Sequence, residues 1–237
     1  MKKFWKFKKK TIHLYSYYSP LKKNDMKKLL FILFTLITIS YCLLGMTKNN
    51  IQTSKFKDGD IIFHTSTSGQ SKMLQVATKS KLTHVGIIFH IKGVPYVFEA
   101  VQPVSYRSLN SFIKSGVNGD YVVLRPRNEL TQTQIDIMKN YAMKQMGKNY
   151  DIQFTWGNDK MYCSELVYKV YESAGINICA KNKFSSFDLS NEMVKNAIFS
   201  RYNKSGKKFD INEVVVAPVD IYKSWNLKTV ESTYSFF

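Results

Sequence analysis

Residues 83–101 read THVGIIFHIKGVPYVFEAV, and the fold class turns on how this stretch is divided. Thr83 to Ile91 is rich in β-branched and aromatic residues and predicts a strand. Lys92-Gly93-Val94-Pro95 is turn chemistry, and Tyr96 to Val101 predicts the return strand. If Val85, Ile87, Phe89 and Ile91 share one face, they form the core side. His84, Gly86, Ile88 and His90 then lie on the other face. A histidine beside Gly86 suits a cleft, because the glycine leaves room for another group to approach. Across the turn, Glu99 interrupts an otherwise apolar strand. A carboxylate there is costly to desolvate unless it is paired, and an imidazole on the neighbouring strand is the obvious partner.

Outward from the hairpin, helices and strands mix without strand–helix repetition. Lys57-Asp58-Gly59-Asp60 is a turn signal and Ile61-Ile62-Phe63 a short strand. Ser71 to Lys79 carries Met73, Leu74 and Ala77 at helical spacing. Downstream, Leu109 to Lys114 predicts a short helix and Tyr121 to Arg125 a strand. Thr131 to Met146 predicts a helix with Ile135, Met138, Ala142 and Met146 inward and Gly147 as its stop. Cys163 to Ala174 predicts another helix, Asp188 to Ile198 a third, and Val214-Val215-Val216 a last strand. An antiparallel hairpin among segregated helices favours an α+β domain over a doubly wound sheet.

The whole chain has 237 residues, enough for one leader and one domain, and a net charge of +18. Residues 1–28 hold ten lysines and one acid, Asp25, which is half of that charge. They precede Leu29 to Met46, the most apolar run in the sequence. Basic residues before an apolar run describe a signal or a signal anchor. Residues 1–50 are therefore read as a basic segment plus a membrane-directed leader, with Met26 an alternative start, and residues 51–237 as the domain. The expected location is exported: periplasmic, or anchored and facing outside the cytoplasm. Cys42 reads first as an apolar residue of the leader, with an acylated lipoprotein cysteine the minor alternative, because bulky Tyr41 stands where a lipoprotein site wants a small residue. With the basic charge concentrated in the leader and no nucleic-acid motif, nucleic acid is not an expected partner. His64, His84 and His90 lack companions at ligand spacing, so neither a metal nor a cofactor is expected. Cys163 and Cys179 are the only cysteines beyond the leader; a bridge between them is the minor alternative to two free thiols.

Cys163 opens an amphipathic helix. Unpaired amides at a helix start stabilise a thiolate and can hold an oxyanion. Taken alone, Cys163 also fits a small buried side chain, and His84 a structural histidine.

A set of short motifs joins these residues. They are Gly59-Asp60-Ile61-Ile62-Phe63, Ser71-Lys72 with Gln75-Val76-Ala77-Thr78, Thr83-His84-Val85-Gly86, and Tyr96 to Val101. Further on come Gly147-Lys148-Asn149-Tyr150-Asp151, Tyr162-Cys163-Ser164-Glu165 and Phe187-Asp188-Leu189-Ser190-Asn191. In this order, from about Phe56 to Leu227, they resemble the YiiX-like branch of permuted papain-like (NlpC-type) amidases. The resemblance implies a circularly permuted papain-like fold: a small antiparallel β-barrel or sheet bearing the histidine, packed on a helix that begins with the cysteine. It implies Cys163 as nucleophile, His84 as base and Glu99 as the residue orienting the base. Some relatives carry a tyrosine two residues before the histidine, where this chain has Leu82; Tyr150, Tyr162 and Ser164 are the candidates for holding the oxyanion or substrate. A hairpin register centred on Gly93-Val94 sets Glu99 opposite Ile88, so a bulge or twist is expected to bring it to His84, with Gln102 as the fallback partner.

The expected function is that of a thiol-dependent hydrolase or acyltransferase cleaving an amide or ester through an acyl-enzyme. Resemblance to NlpC-type enzymes implies a cell-wall peptide substrate; resemblance to permuted lecithin:retinol acyltransferase relatives implies an acyl lipid. The alternative is a non-catalytic lipid- or peptide-binding module on the same fold.

Overall fold

The computed structural model describes residues 23–46 and 53–235, and the side chains of residues 39–46 are not among those described. The lysines before residue 22, linker residues 47–52 and the Cys42 side chain therefore lie outside the described residues. The chain divides into two units, Met1–Ile51 and Gln52–Phe237. The first contains α1 (Lys23–Met46), whose described apolar side chains, Leu29 to Ile37, are largely exposed. Among the described residues, no helix is long and apolar enough to cross a membrane.

The second unit is built in the order β1 (Ile61–His64), α2 (Ser71–Thr78), β2 (His84–Ile91), β3 (Val94–Glu99), β4 (Ser105–Ser108), α3 (Leu109–Lys114), β5 (Val122–Pro126) and α4 (Gln132–Gln145). It continues with β6 (Asn149–Tyr150), β7 (Lys160–Met161), α5 (Cys163–Ser173), β8 (Asn182–Lys183), α6 (Glu192–Ser205), β9 (Val214–Val215), α7 (Pro218–Tyr222) and β10 (Leu227–Ser232).

Six strands form one antiparallel sheet in the order β10-β5-β1-β2-β3-β4. Strands β4 and β10 are its edges, so the sheet is open and not the closed barrel that the resemblance allowed. Four-residue β4 runs directly into α3, whose first turn is capped by the Ser108 hydroxyl accepting from Ser111 N–H. One sheet face carries Ile61 and Phe63 beside Val85 and Ile87, with Val122 and Leu124 beyond, all buried. Helix α5 covers that face with Leu166, Val167, Val170 and Tyr171, and α4 adds Met138 and Ala142. Each such buried aliphatic contributes about 1.5–3 kcal/mol, an upper estimate. The opposite face is also closed at its centre, where Ile62, Ile88 and Val97 are fully buried; Ile91, placed on the core side by its spacing, is exposed at the hairpin tip.

The hairpin differs from its expected register. The observed pairs run Ile87–Phe98, Ile88–Val97, Phe89–Tyr96, His90–Pro95 and Ile91–Val94. The turn is thus only Lys92-Gly93, with φ of 51° and 78°, as a type I′ turn requires of both central residues. Lysine is an uncommon occupant of that position, which hides the turn from a sequence reading. Continuing the observed register sets Glu99 opposite Gly86 and not Ile88.

Helix α6 also departs from expectation, starting at Glu192 behind an Asn191 cap and running to Ser205, where Gly206 stops it at φ 67°. Residues 188–190 precede that cap. Strand β10 had no signal in the sequence reading, yet it pairs along β5, with a bulge between Thr229 and Glu231.

Candidate active site

Cys163 is the first residue of α5. The helix starts there because Glu165, in its first turn, accepts from Tyr162 N–H at 3.4 Å and from Gly157 N–H at 3.0 Å. Its own charge is met by Lys169 at 2.8 Å, one helical turn on. The Cys163 thiol is buried, Cys179 is partly exposed, and neither is bridged, so the disulfide alternative is not the arrangement found.

His84 opens β2 and lies directly opposite His64 of β1. Its Nε2 is 2.5 Å from Glu99 Oε2. No bulge is needed: with Gly86 between them on the same sheet face, Glu99 reaches diagonally to His84 over a position that has no side chain. A Cβ on Gly86 would meet Val97 Cγ1 at 2.4 Å and the Phe98 carbonyl at 2.9 Å. Glu99 is 1% exposed and is also paired with Arg107, whose Nη2 donates to Oε2 at 3.1 Å and whose Nε faces Oε1. Gln102, the fallback, is elsewhere: its Oε1 accepts from Tyr150 N–H at 2.7 Å and its Nε2 donates to Asn149 at 2.6 Å.

With Nε2 engaged by Glu99, Nδ1 is the ring atom left for Cys163, to which His84 is hydrogen-bonded. Burial disfavours an imidazolium, but hydrogen bonds to Cys163 and Glu99 outweigh it and push the His84 pKa up to about 9. Burial likewise disfavours a thiolate. The His84 contact, with the Val85 and Ser164 backbone N–H groups, outweighs it and holds the Cys163 thiol below its ordinary range. Both shifts lean toward a thiolate–imidazolium pair.

Tyr150 reaches this pair through β6, which pairs in parallel with β7 just before Cys163 and sets Tyr150 beside Met161. Its hydroxyl contacts Cys163; burial, and then the cysteine's charge, keep the phenol protonated. Gln70 Nε2 donates to that hydroxyl at 3.1 Å, and Arg201 Nη2 donates to Gln70 Oε1 at 3.3 Å. A guanidinium only donates, so the Gln70 carbonyl faces Arg201 and its amide faces Tyr150. The Tyr150 oxygen thus accepts from Gln70, leaving its proton for Cys163.

The other two oxyanion candidates are placed differently. Tyr162 is buried with its hydroxyl accepting from Val216 N–H at 3.2 Å, and Ser164 donates its hydroxyl to the Val216 carbonyl at 2.6 Å. Of Ser164 it is the backbone amide, not the side chain, that points at sulphur.

With this geometry in view, likeness to known proteins can be stated. Residues 55–231 match the model of the family described as permuted papain-like amidase enzyme, YaeF/YiiX, C92 family. The chain belongs to the permuted papain-like amidase family. The chain is 39% identical over 180 residues to the uncharacterized protein YiiX of Escherichia coli (strain K12), covering 76% of this chain and 88% of the relative. It is also similar to a solved structure, described as metalloprotein yiiX from Escherichia coli O157:H7, with a TM-score of 0.72 and 40% identity. That likeness covers 76% of this chain and 99% of the other.

In this family member, sequence reading singled out Cys163, His84, Glu99 and Tyr150, which the fold brings together. It missed Arg107, Gln70 and Arg201. Arg107 had a signal, being a cation one short strand after a buried carboxylate. Gln70 and Arg201 had none, since they meet through the packing of α2 on α6.

Proposed function

We propose that this chain is a cysteine amidase of the cell envelope, acting through a Cys163 acyl-enzyme. The observation that carries the reading is the continuous hydrogen-bonded row Cys163–His84–Glu99, begun at a helix N-terminus. The Cys163 thiolate attacks the amide carbonyl carbon, and the carbonyl electron pair moves to oxygen. The Tyr150 hydroxyl and the amides at the start of α5 hold that oxyanion. On collapse the C–N bond breaks, and the His84 imidazolium gives its proton to the departing amine. Water then attacks the thioester as His84 takes its proton, releasing the acid and the thiol. Glu99, held by Arg107, fixes the ring and stabilises its charged form. Gln70 and Arg201 are positioning residues for the Tyr150 proton.

The solved relative's description raises a metal. The described residues do not fit one: among them no group of three or more His, Cys, Asp or Glu could hold a metal ion. No step is routed through one. The lysine-rich start and Leu29–Met46 support export, and hence an envelope amide such as a wall peptide.

The reading is tested by incubating the full-length protein with cell-envelope peptides and searching for a mass adduct on Cys163. The expected result is an acyl adduct that decays in water and is absent in Cys163→Ala. Turnover retained by Cys163→Ala would overturn it.

A further inference from the structure

Two cavities of different character flank the Cys163–His84 pair, one walled by His84 and the other by Cys163. On the His84 side is a polar cleft of about 580 Å³, lined among others by His64, Ser66, Thr67, Gln102 and Arg107. On the other side, with Cys163 itself in the wall, is a part-enclosed apolar cavity of about 60 Å³. It lies between α2 and α6, walled by Met73, Leu74, Ala77, Phe187, Val194 and Ile198. Ile152 borders both.

The chemistry assigns each side. The departing amine must lie where the His84 proton can reach it, which is the polar cleft. The acyl part must then extend to the other side of the sulphur, into the apolar cavity. We infer that this cavity is an acyl subsite for a short apolar group, so that the substrate is an amide joining a compact aliphatic or aromatic acyl group to a bulky polar amine. The inference rests on Cys163 being the nucleophile, as proposed above.

Size limits the occupant. A water-sized group needs about 10–15 Å³ of such space, so the cavity takes about four to six non-hydrogen atoms. That is a leucine- or valine-like side chain, or a short acyl segment, and not a long fatty chain. Its polar lining is confined to Thr78, Gln153, Tyr162, Ser164, Arg201 and Tyr202, and the Tyr162 and Ser164 hydroxyls are already bonded to Val216, so the wall is mainly apolar and selection within it is chiefly by volume.

The test is a chain-length series. Acyl amides of 7-amino-4-methylcoumarin, from acetyl to dodecanoyl, are assayed with the full chain. kcat/KM is expected to rise by about fourfold per methylene, peak at about four to six carbons beyond the carbonyl, and then fall. Leu74→Phe, which fills the cavity, should move the peak toward acetyl. Ile198→Ala should move it to longer chains. In parallel, alkyl chloromethyl ketones of the same lengths alkylate Cys163 by forming an S–CH2 bond as chloride leaves, read as the adduct mass. They place the alkyl group in the same cavity without requiring amide hydrolysis. A matching length profile with no amide turned over would sink the amidase reading and leave the subsite standing. Rates flat in length, or rising through dodecanoyl in both series, overturn the subsite. Absence of any Cys163 adduct overturns both.

Discussion

The rings of His64 and His84 lie 5.2 Å apart on paired residues of neighbouring strands, and their surroundings push their pKa values in opposite directions. Phe112 stacks on both, at 4.4 Å from His64 and 5.6 Å from His84. Burial, followed by the charges of His84 and Arg107, pushes the His64 pKa down to about 2. His64 is thus the neutral wall behind a charged imidazole. Its Nδ1 is buried and has no hydrogen-bond partner among the described residues, and Gly116 makes room for it, since a Cβ there would come within 2.9 Å.

The sign of the pH dependence follows. Below about pH 6.5 the unfolded chain binds a proton at His64 that the native state refuses, so stability falls as pH falls. The slope from this group approaches about 1.4 kcal/mol per pH unit. Urea unfolding of His64→Gln at pH 6.5 and 5 should show a shallower slope than the parent by about that amount. An unchanged slope would mean that His64 is charged in the folded protein.

The two thiols should separate cleanly. Burial, and then Asp220, push Cys179 up to about 12, leaving a thiolate fraction near 10⁻⁵ at pH 7. Iodoacetamide at pH 6.5, with peptide mapping, should label Cys163 far faster than Cys179. Turnover should then decline above about pH 9, where His84 loses the proton needed by the departing amine.

Glu99→Gln keeps the shape of the side chain and removes its charge. The proposal expects turnover to fall by orders of magnitude and thiolate formation to require higher pH. A purely structural Glu99 would lower stability and leave the pH dependence of Cys163 alkylation where it was.

Gly86→Ala tests the crossing between His84 and Glu99 without touching either. The added methyl collides with Val97 and with the Phe98 carbonyl, and overpacking of this kind costs about 1–3 kcal/mol. We expect a lower unfolding midpoint and a lower turnover, with more of Cys163 protonated near neutral pH.

Much of this site was legible because its members stand in locally unusual settings: Cys163 at a helix start, Glu99 in an apolar strand, His84 two residues from a glycine. The hairpin was legible too, but not its register, because Lys92 gives no sign of a left-handed conformation. Strand β10 was missed for a physical reason: LKTVES holds two charges and two hydroxyls and runs half-exposed along an edge, so it lacks the burial that writes alternation into a sequence. Gln70 and Arg201 meet only after α2 and α6 have packed, and no spacing along the chain encodes that.

The two-residue turn at Lys92-Gly93 stands at the far end of the hairpin from Cys163, yet it counts out where the carboxylate falls. Because side chains alternate along a strand, one residue gained or lost at that tip would throw Glu99 onto the opposite surface of the sheet. Substitutions at the tip leave the count alone. In descent and in engineering alike, this loop is bound in length more tightly than in letters, the left-handed backbone at Lys92 and Gly93 limiting its letters in turn, so an insertion or deletion would disarm the protein more thoroughly than most substitutions.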